Sequence, residues 1–469
     1  MKNRSPKTLI LLLTVCIIAS LCLTSCGMLR IMLDFGDMQS IPTDTDGIVT
    51  EAPADTNGMM DSTEQIDEIQ TEASGNDEEN NEDNSEENID NNIGDVGNDS
   101  GDDDISIEEE NPGSNVTIQG AESNVAYAAA QGLRSSVSII ANFSSGNSSG
   151  SGIIYKLDAE NGSAFIITNY HVVYYSGSYY QGGVSKDIDV YLYGMEMEKY
   201  ALSALFVGGS ANYDIAVLYV ENSEVLKNAA KNGSIVAVKA ADSDKILPGQ
   251  TAIAIGNAES LGIAVTSGVI SVPSEYIEMT SIDGKNKEVE QRVMRIDTAV
   301  NSGNSGGGLF NDKGEFVGIV NAKITQSDVE NIAYAIPSNV AKAVAENIIN
   351  YCYGTEATNV MRPILGLQIE VADRTSVYDP DSATISISET IRVNSITEGS
   401  ISVDKFAVGD VLKSITVGGE TTEITRMHHV IDRMLYAREN DTVSFKVVGE
   451  DGTEKTVNIT ITKDCLTAY

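Results

Sequence analysis

One stretch constrains this chain more than any other: Asn301-Ser302-Gly303-Asn304-Ser305-Gly306-Gly307-Gly308-Leu309. Glycines on both sides of Ser305 let the backbone turn tightly and approach a ligand closely, leaving peptide N–H groups free to point outward. Downstream come a short apolar run, the turn Asn311-Asp312-Lys313-Gly314 and then Phe316-Val317-Gly318-Ile319-Val320, which together predict a β-hairpin. Two readings stand at this point. The stretch is a Gly-rich turn between strands, or it presents Ser305 beside an oxyanion hole built from the backbone of Gly303, Asn304 and Ser305, with the N–H groups of Gly303 and Ser305 as donors.

A serine hydroxyl is a poor nucleophile without a base in hydrogen-bond reach and a third group to orient that base. The chain has three histidines. His171 follows the apolar run Ala164-Phe165-Ile166-Ile167-Thr168 and a small polar turn, which sets an imidazole at a strand end where it can face a cleft. Asp214 opens the run Asp214-Ile215-Ala216-Val217-Leu218-Tyr219-Val220. A carboxylate at the mouth of so apolar a strand needs partners, because an unpaired buried charge is expensive, and a histidine Nδ1–H is one such partner. The order His171, Asp214, Ser305 is the chymotrypsin order. Gly303-Asn304-Ser305-Gly306-Gly307 also fits a G-x-S-x-G nucleophile elbow, but an elbow requires a helix directly after the serine and an Asp and His later in the chain.

These segments match a known family in order. Gly150-Ser151-Gly152-Ile153, Thr168-Asn169-Tyr170-His171-Val172-Val173, Asp214-Ile215-Ala216-Val217-Leu218, Asp297-Thr298-Ala299-Val300-Asn301 with Gly303-Asn304-Ser305-Gly306-Gly307, and Ala335-Ile336-Pro337-Ser338-Asn339 resemble the HtrA/Deg family. Those are trypsin-fold serine endopeptidases with C-terminal PDZ domains, and the resemblance covers roughly residues 121 to 469. It implies a mainly β fold: a chymotrypsin-like double β-barrel protease, two six-stranded barrels with the site between them, followed by a small α/β PDZ domain. It implies His171 as general base, Asp214 as its orienting acid and Ser305 as nucleophile. The family usually has Pro where this chain has Ser302 and Gly308, which predicts a less rigid oxyanion loop. At the base of the primary specificity pocket the resemblance places Ala299, next to Val300, with Ile324 on the pocket wall. No carboxylate stands there, so cleavage is expected after small to medium apolar residues.

The rest of the chain divides by composition. Lys2, Arg4 and Lys7 precede the hydrophobic run Leu9 to Leu23, and Leu23-Thr24-Ser25-Cys26-Gly27 resembles a bacterial lipobox. Residues 1–25 are therefore expected to be a lipoprotein signal peptide and Cys26 to be lipid-modified; the alternative, an uncleaved anchor, predicts the same extracytoplasmic side. Residues 31 to 120 carry 27 of the 69 acidic residues and no Lys or Arg. Such a segment cannot bury enough apolar area to fold, so 26–120 reads as a disordered acidic tether. With residues 1–120 set aside, 42 acidic residues face 26 basic ones in the remainder. No basic patch stands out, which argues against nucleic acid. Residues 121–355 form the expected protease domain, ending in a helix that Ser338 would cap.

Residues 356–469 form the expected PDZ-like domain. By the resemblance, Ile364-Leu365-Gly366-Leu367 is a carboxylate-binding loop that captures a chain terminus while the peptide adds as a strand, and Thr425 to Arg438 is the helix flanking the groove. His428 and His429 are adjacent, face different directions and make a poor metal pair, so they read as surface or groove residues. Cys352 and Cys465 read as free or buried thiols. The expectation is a membrane-tethered extracytoplasmic serine endopeptidase acting on unfolded or misfolded proteins. No metal or cofactor is implied, C-terminal peptides bind at the PDZ domain, and the resemblance implies a homotrimer that no residue here demonstrates. The alternative is a catalytically silent, PDZ-containing binding scaffold.

Overall fold

The computed structural model of the protein describes residues 30–32, 124–177, 183–283, 288–322 and 332–469, all in one compact unit. Cys26, Ile324 and nearly all of the acidic stretch lie outside the described residues. Runs rich in Val and Ile, separated by Gly, Asn and Ser clusters, fold as strands, because branched side chains pack well on a pleated surface. The expected Ile215–Val220 is a strand with those bounds, and Phe165–Thr168 lies within Ser163–Thr168.

After helix α1 (Asn124–Leu133), the first sheet contains β1 (Ser136–Phe143), β2 (Gly146–Asp158), β3 (Ser163–Thr168), β4 (Asp187–Leu192), β5 (Leu202–Ser203), β6 (Leu205–Ser210) and β7 (Ile215–Val220). Its order is β5-β4-β1-β2-β3-β7-β6. This differs from the closed six-stranded barrel expected. Only Leu202–Ser203 pairs at one edge, too short a strand to close on β6. The sheet still wraps a core of Ile139, Ile154, Ile166, Val190, Leu218 and Leu226.

The second sheet is a closed barrel of β8 (Thr251–Gly256), β9 (Ala264–Thr280), β10 (Glu288–Ile296), β11 (Gly308–Phe310), β12 (Phe316–Asn321) and β13 (Ala333–Pro337), ordered β8-β9-β10-β13-β12-β11. Alternation along β8 divides its residues between two cores. Ala252 and Ala254 pack with Met294 and Leu309, whereas Ile253 and Ile255 pack with Phe310, Phe316 and Ile336. The second cluster also takes one face of helix α4 (Ser338–Cys352), which follows the shorter α2 (Tyr170–Val173) and α3 (Glu224–Lys231). The expected helical spacing of Val340, Ala341, Val344, Ile348 and Cys352 is the buried face. Ser338 is the first helical residue rather than its cap. Pro337 still pairs with Gly318 in the barrel, so the chain turns into the helix only after it, and Ser338 Oγ donates to the Ala241 carbonyl at 2.8 Å.

The C-terminal sheet contains β14 (Leu367–Asp379), β15 (Thr384–Ile396), β16 (Val411–Val417), β17 (Glu420–Glu423), β18 (Thr442–Val448) and β19 (Glu454–Thr460). Helix α5 (Met427–Met434) packs with it around Ile369, Ile391, Val393 and Phe445. The helix is shorter than expected, and Leu435 just beyond it joins the cluster of Ile255, Phe310 and Ile336 instead. Residues 30–32 pair antiparallel along the outer edge of β14. Among the described residues no helix is long and apolar enough to cross a membrane. Cys352 and Cys465 are free, buried and in different core clusters.

Candidate active site

Asp214 sits just before β7 with φ of +51°, a left-handed backbone that Asp tolerates better than most residues. It is fully buried, and its carboxylate is correspondingly well supplied with donors. Oδ2 lies 2.7 Å from His171 Nδ1 and accepts from Asn321 Nδ2 at 2.8 Å, while Oδ1 accepts from the His171 backbone N–H at 3.0 Å. Asn169 Nδ2 donates to the Asp214 carbonyl at 2.8 Å. A carboxylate cannot donate, so the 2.7 Å contact places a proton on Nδ1 and leaves Nε2 as the lone-pair nitrogen. His171 rides on α2 and keeps 15% of its side chain exposed, so the imidazole opens to solvent while its partner does not.

Ser305 lies between the two protease sheets, held through Ser151. The Ser151 N–H donates to the Ser305 carbonyl at 2.8 Å and its Oγ donates to the Gly303 carbonyl at 2.7 Å, while the Asn257 N–H donates to that Oγ at 2.8 Å. Gly303 and Gly306 have φ of +93° and +84°. A Cβ at either would meet a carbonyl oxygen at 2.2 Å, that of Asn257 or of Ser151. Both positions therefore need glycine for two reasons, handedness and space. The loop expected to be less rigid is tied at both ends. Ser302 O accepts from the Glu259 N–H at 2.8 Å, and Gly308 is already in β11, paired with Ile255 and Ile319.

Among the described residues, the N–H groups of Gly303 and Ser305 donate to no protein acceptor, whereas the Asn304 N–H is taken by the Asn301 carbonyl at 3.1 Å. Of the three residues in the candidate oxyanion loop, two thus offer a free donor and Asn304 does not. Ser305 Oγ accepts from the Ala322 N–H at 3.2 Å, and it makes no hydrogen bond to His171. Ala299 is exposed, with its carbonyl accepting from Thr266 Oγ1 at 2.8 Å, and Val300 packs partly on the barrel core. Two positioning residues escaped the sequence reading. Ser151 was noted only as part of a Gly-Ser-Gly run, and nothing local to Asn321 marks it as a carboxylate partner 107 residues from Asp214.

In the C-terminal domain, Ile364 donates its N–H to the Cys465 carbonyl at 2.7 Å, while the N–H groups of Leu365 and Gly366 have no protein acceptor among the described residues. Gly366 has φ of +70°. Leu365 and Leu367 are buried in the domain core. His428, expected at the surface or in a groove, is buried and lines a cavity beside Asp244, with Nε2 3.4 Å from Asp244 Oδ1.

A closed six-stranded barrel joined to a second curled sheet, with a buried Asp–His pair from one and a glycine-framed serine from the other, defines the trypsin-like class, and residues 150–319 match the family model of the trypsin-like peptidase domain. The chain is 35% identical over 223 residues to the serine protease Do-like HtrA of Bacillus subtilis (strain 168), covering 47% of this chain and 42% of that protein. It is 30% identical over 329 residues to the serine protease Do-like HtrA of Lactococcus lactis subsp. lactis (strain IL1403), covering 68% and 71%. A solved HtrA-type protease, AlgW with a tripeptide, is 23% identical, with 74% of this chain and 98% of that one covered at a TM-score of 0.46. The chain belongs to the HtrA family of serine proteases.

Proposed function

We propose that this chain is a serine endopeptidase, with Ser305 as nucleophile, His171 as general base, Asp214 as the orienting acid, and the N–H groups of Gly303 and Ser305 as the oxyanion hole. The observation that carries the reading is the conjunction of a buried Asp214–His171 pair with two unspent N–H donors flanking one serine. His171 Nε2 takes the Ser305 proton as Oγ attacks the scissile carbonyl. The oxyanion gains two donors, and the same imidazole returns the proton to the leaving amine. Because Ser305 Oγ rests on the Ala322 N–H, a small rotation must precede attack, an adjustment common between free and substrate-bound sites.

The finer reading adds substrates and place. The missing acid at Ala299 favours cleavage after Val, Ala, Leu or Ile. The lipobox at Cys26 would anchor the enzyme outside the cytoplasm, and unfolded or misfolded proteins would be its substrates. The free N–H groups of Leu365 and Gly366, and a β14 edge that already accepts residues 30–32 as a strand, support capture of C-terminal peptides. Digestion of an unfolded protein by the full chain tests this, beside Ser305→Ala. Cleavage after apolar residues that drops at least about 10³-fold in the variant is expected. Equal cleavage by both, or none from a folded wild-type chain supplied with apolar C-terminal peptides, would favour the silent scaffold.

A further inference from the structure

The junction between the protease and the C-terminal domain holds a cluster that the proteolytic reading does not use. Asp244 lies in a single turn, Ser243–Lys245, ahead of the barrel, and His428 and His429 lie in the first turn of α5. His428 Nε2 is 3.4 Å from Asp244 Oδ1, and His429 Nε2 is 3.9 Å from Asp244 Oδ2. One ligand atom from each of the three lies within 4.8 Å of the others. Ligands bound at about 2.0–2.2 Å in a tetrahedron stand roughly 3.3–3.6 Å apart, so side chains whose ligand atoms lie up to 4.8 Å apart must draw together by about 1 Å to hold one ion.

The surroundings suit ligation. His429 Nδ1 is 2.9 Å from the Glu423 carbonyl and 3.3 Å from the Thr425 N–H. The carbonyl is nearer and can only accept, so the proton belongs on Nδ1 and the Nε2 lone pair faces Asp244, the arrangement that outer hydrogen bonds impose on ligating histidines. Arg292 Nη2 occupies one lone pair of Asp244 Oδ1 at 2.6 Å, and Asn339 Nδ2 one of Oδ2 at 3.0 Å, leaving each oxygen another. Arg292 also pairs with Asp432, so its charge is offset locally. All three groups line a cavity of about 390 Å³ that opens to solvent, with room for a water as fourth ligand.

We propose that Asp244, His428 and His429 bind a divalent transition ion of the Zn²⁺ class, joining the protease to α5. Two imidazoles and one carboxylate select such an ion over Mg²⁺ or Ca²⁺, which take all-oxygen sites. The two adjacent histidines, read from the sequence as a poor metal pair, are both within 4 Å of the Asp244 carboxylate. The two rings stand at 88° with centroids 4.7 Å apart, yet both Nε2 atoms reach one carboxylate.

The test is Co²⁺ titration of the chelator-treated full chain carrying Ser305→Ala, read by visible absorption, with Zn²⁺ as competitor. One equivalent of intense tetrahedral Co²⁺ absorption, bleached by Zn²⁺, is expected. Oxygen-only binding by the acidic stretch gives weak octahedral bands and does not mimic it. With three histidines in the chain, assignment is direct: His429→Gln and Asp244→Asn should each lose the band, and His171→Ala should keep it. His429→Gln at the half-buried position covers the case in which His428→Ala fails to fold. No tetrahedral band, or one that survives His429→Gln or disappears with His171→Ala, overturns the site.

Discussion

At the scale of single residues, the site turns on how Asp214 is held. Among the described residues three donors reach its carboxylate, two of them from His171 and the third, Asn321 Nδ2, from β12, where it fixes Oδ2. Replacing it, Asn321→Ala, leaves a buried carboxylate oxygen short of a donor and frees the carboxylate to rotate about the imidazole. We expect kcat to fall about tenfold, roughly 1.4 kcal/mol in the barrier, with KM nearly unchanged, because the loss falls on the transition state. A KM effect with kcat unchanged would show that Asn321 shapes substrate binding instead. Ala299 gives a second test. It is exposed beside the serine loop, so Ala299→Asp can be placed without burying a charge. It should shift preference toward Lys or Arg before the cut, measured by mapping the cleavage products, and an unchanged pattern would remove Ala299 from the pocket.

At the scale of elements, helix α4 is tied to the C-terminal part of the chain through a buried amide. Asn347 is fully buried, its Nδ2 donates to the carbonyls of Met361 and Leu435 at 2.8 and 3.0 Å, and its Oδ1 accepts from the Met361 N–H at 2.8 Å. Asn347→Ala strands the N–H and carbonyl of Met361 at the strand Met361–Pro363, while the Leu435 carbonyl keeps Arg438 Nη1 at 2.8 Å, for a loss of about 2–4 kcal/mol. Thermal unfolding checks it, and a change below about 0.5 kcal/mol would mean that water replaces the amide. This link marks the limit of what the sequence discloses. The apolar face of α4 is legible because burial follows a 3.6-residue period, and β7 is legible because its apolar run is bounded by turns. A polar residue buried for the sake of backbone groups 14 and 88 positions away carries no local pattern. The same holds for Asn321 and Ser151, while His171, Asp214 and Ser305 stood out because the chain has three histidines and the motifs around the three residues fall in an informative order. The burial of His428 carried no local signal either, because adjacency within a helix says how two side chains leave the backbone and not which other element packs against them.

At the scale of the molecule, the protease and the C-terminal domain share buried charge as well as apolar core. Arg292 on β10 is buried and reaches both Asp244 and, across the junction, Asp432 on α5, with Nε donating to Ser274 at 3.0 Å. Burial works against its charge, but Asp432 and Asp244 outweigh it and hold the guanidinium protonated. Removing one member of such a cluster is far costlier than removing the cluster, because the remaining charge stays buried without a partner. Arg292→Met should therefore cost about 3–5 kcal/mol, while adding Asp432→Leu should restore at least half of it. The chain has no tryptophan, so urea unfolding is best followed by circular dichroism. If the double variant is no more stable than Arg292→Met, the loss lies in packing around β10, not in the stranded Asp432. If Arg292→Met costs less than about 1 kcal/mol, Asp432 is reached by water and the junction opens in solution. Restoration in the double variant would instead show a junction that stays closed and dry, where the choice of a charged link over an apolar one lets an ion or a proton act on the contact between the two domains.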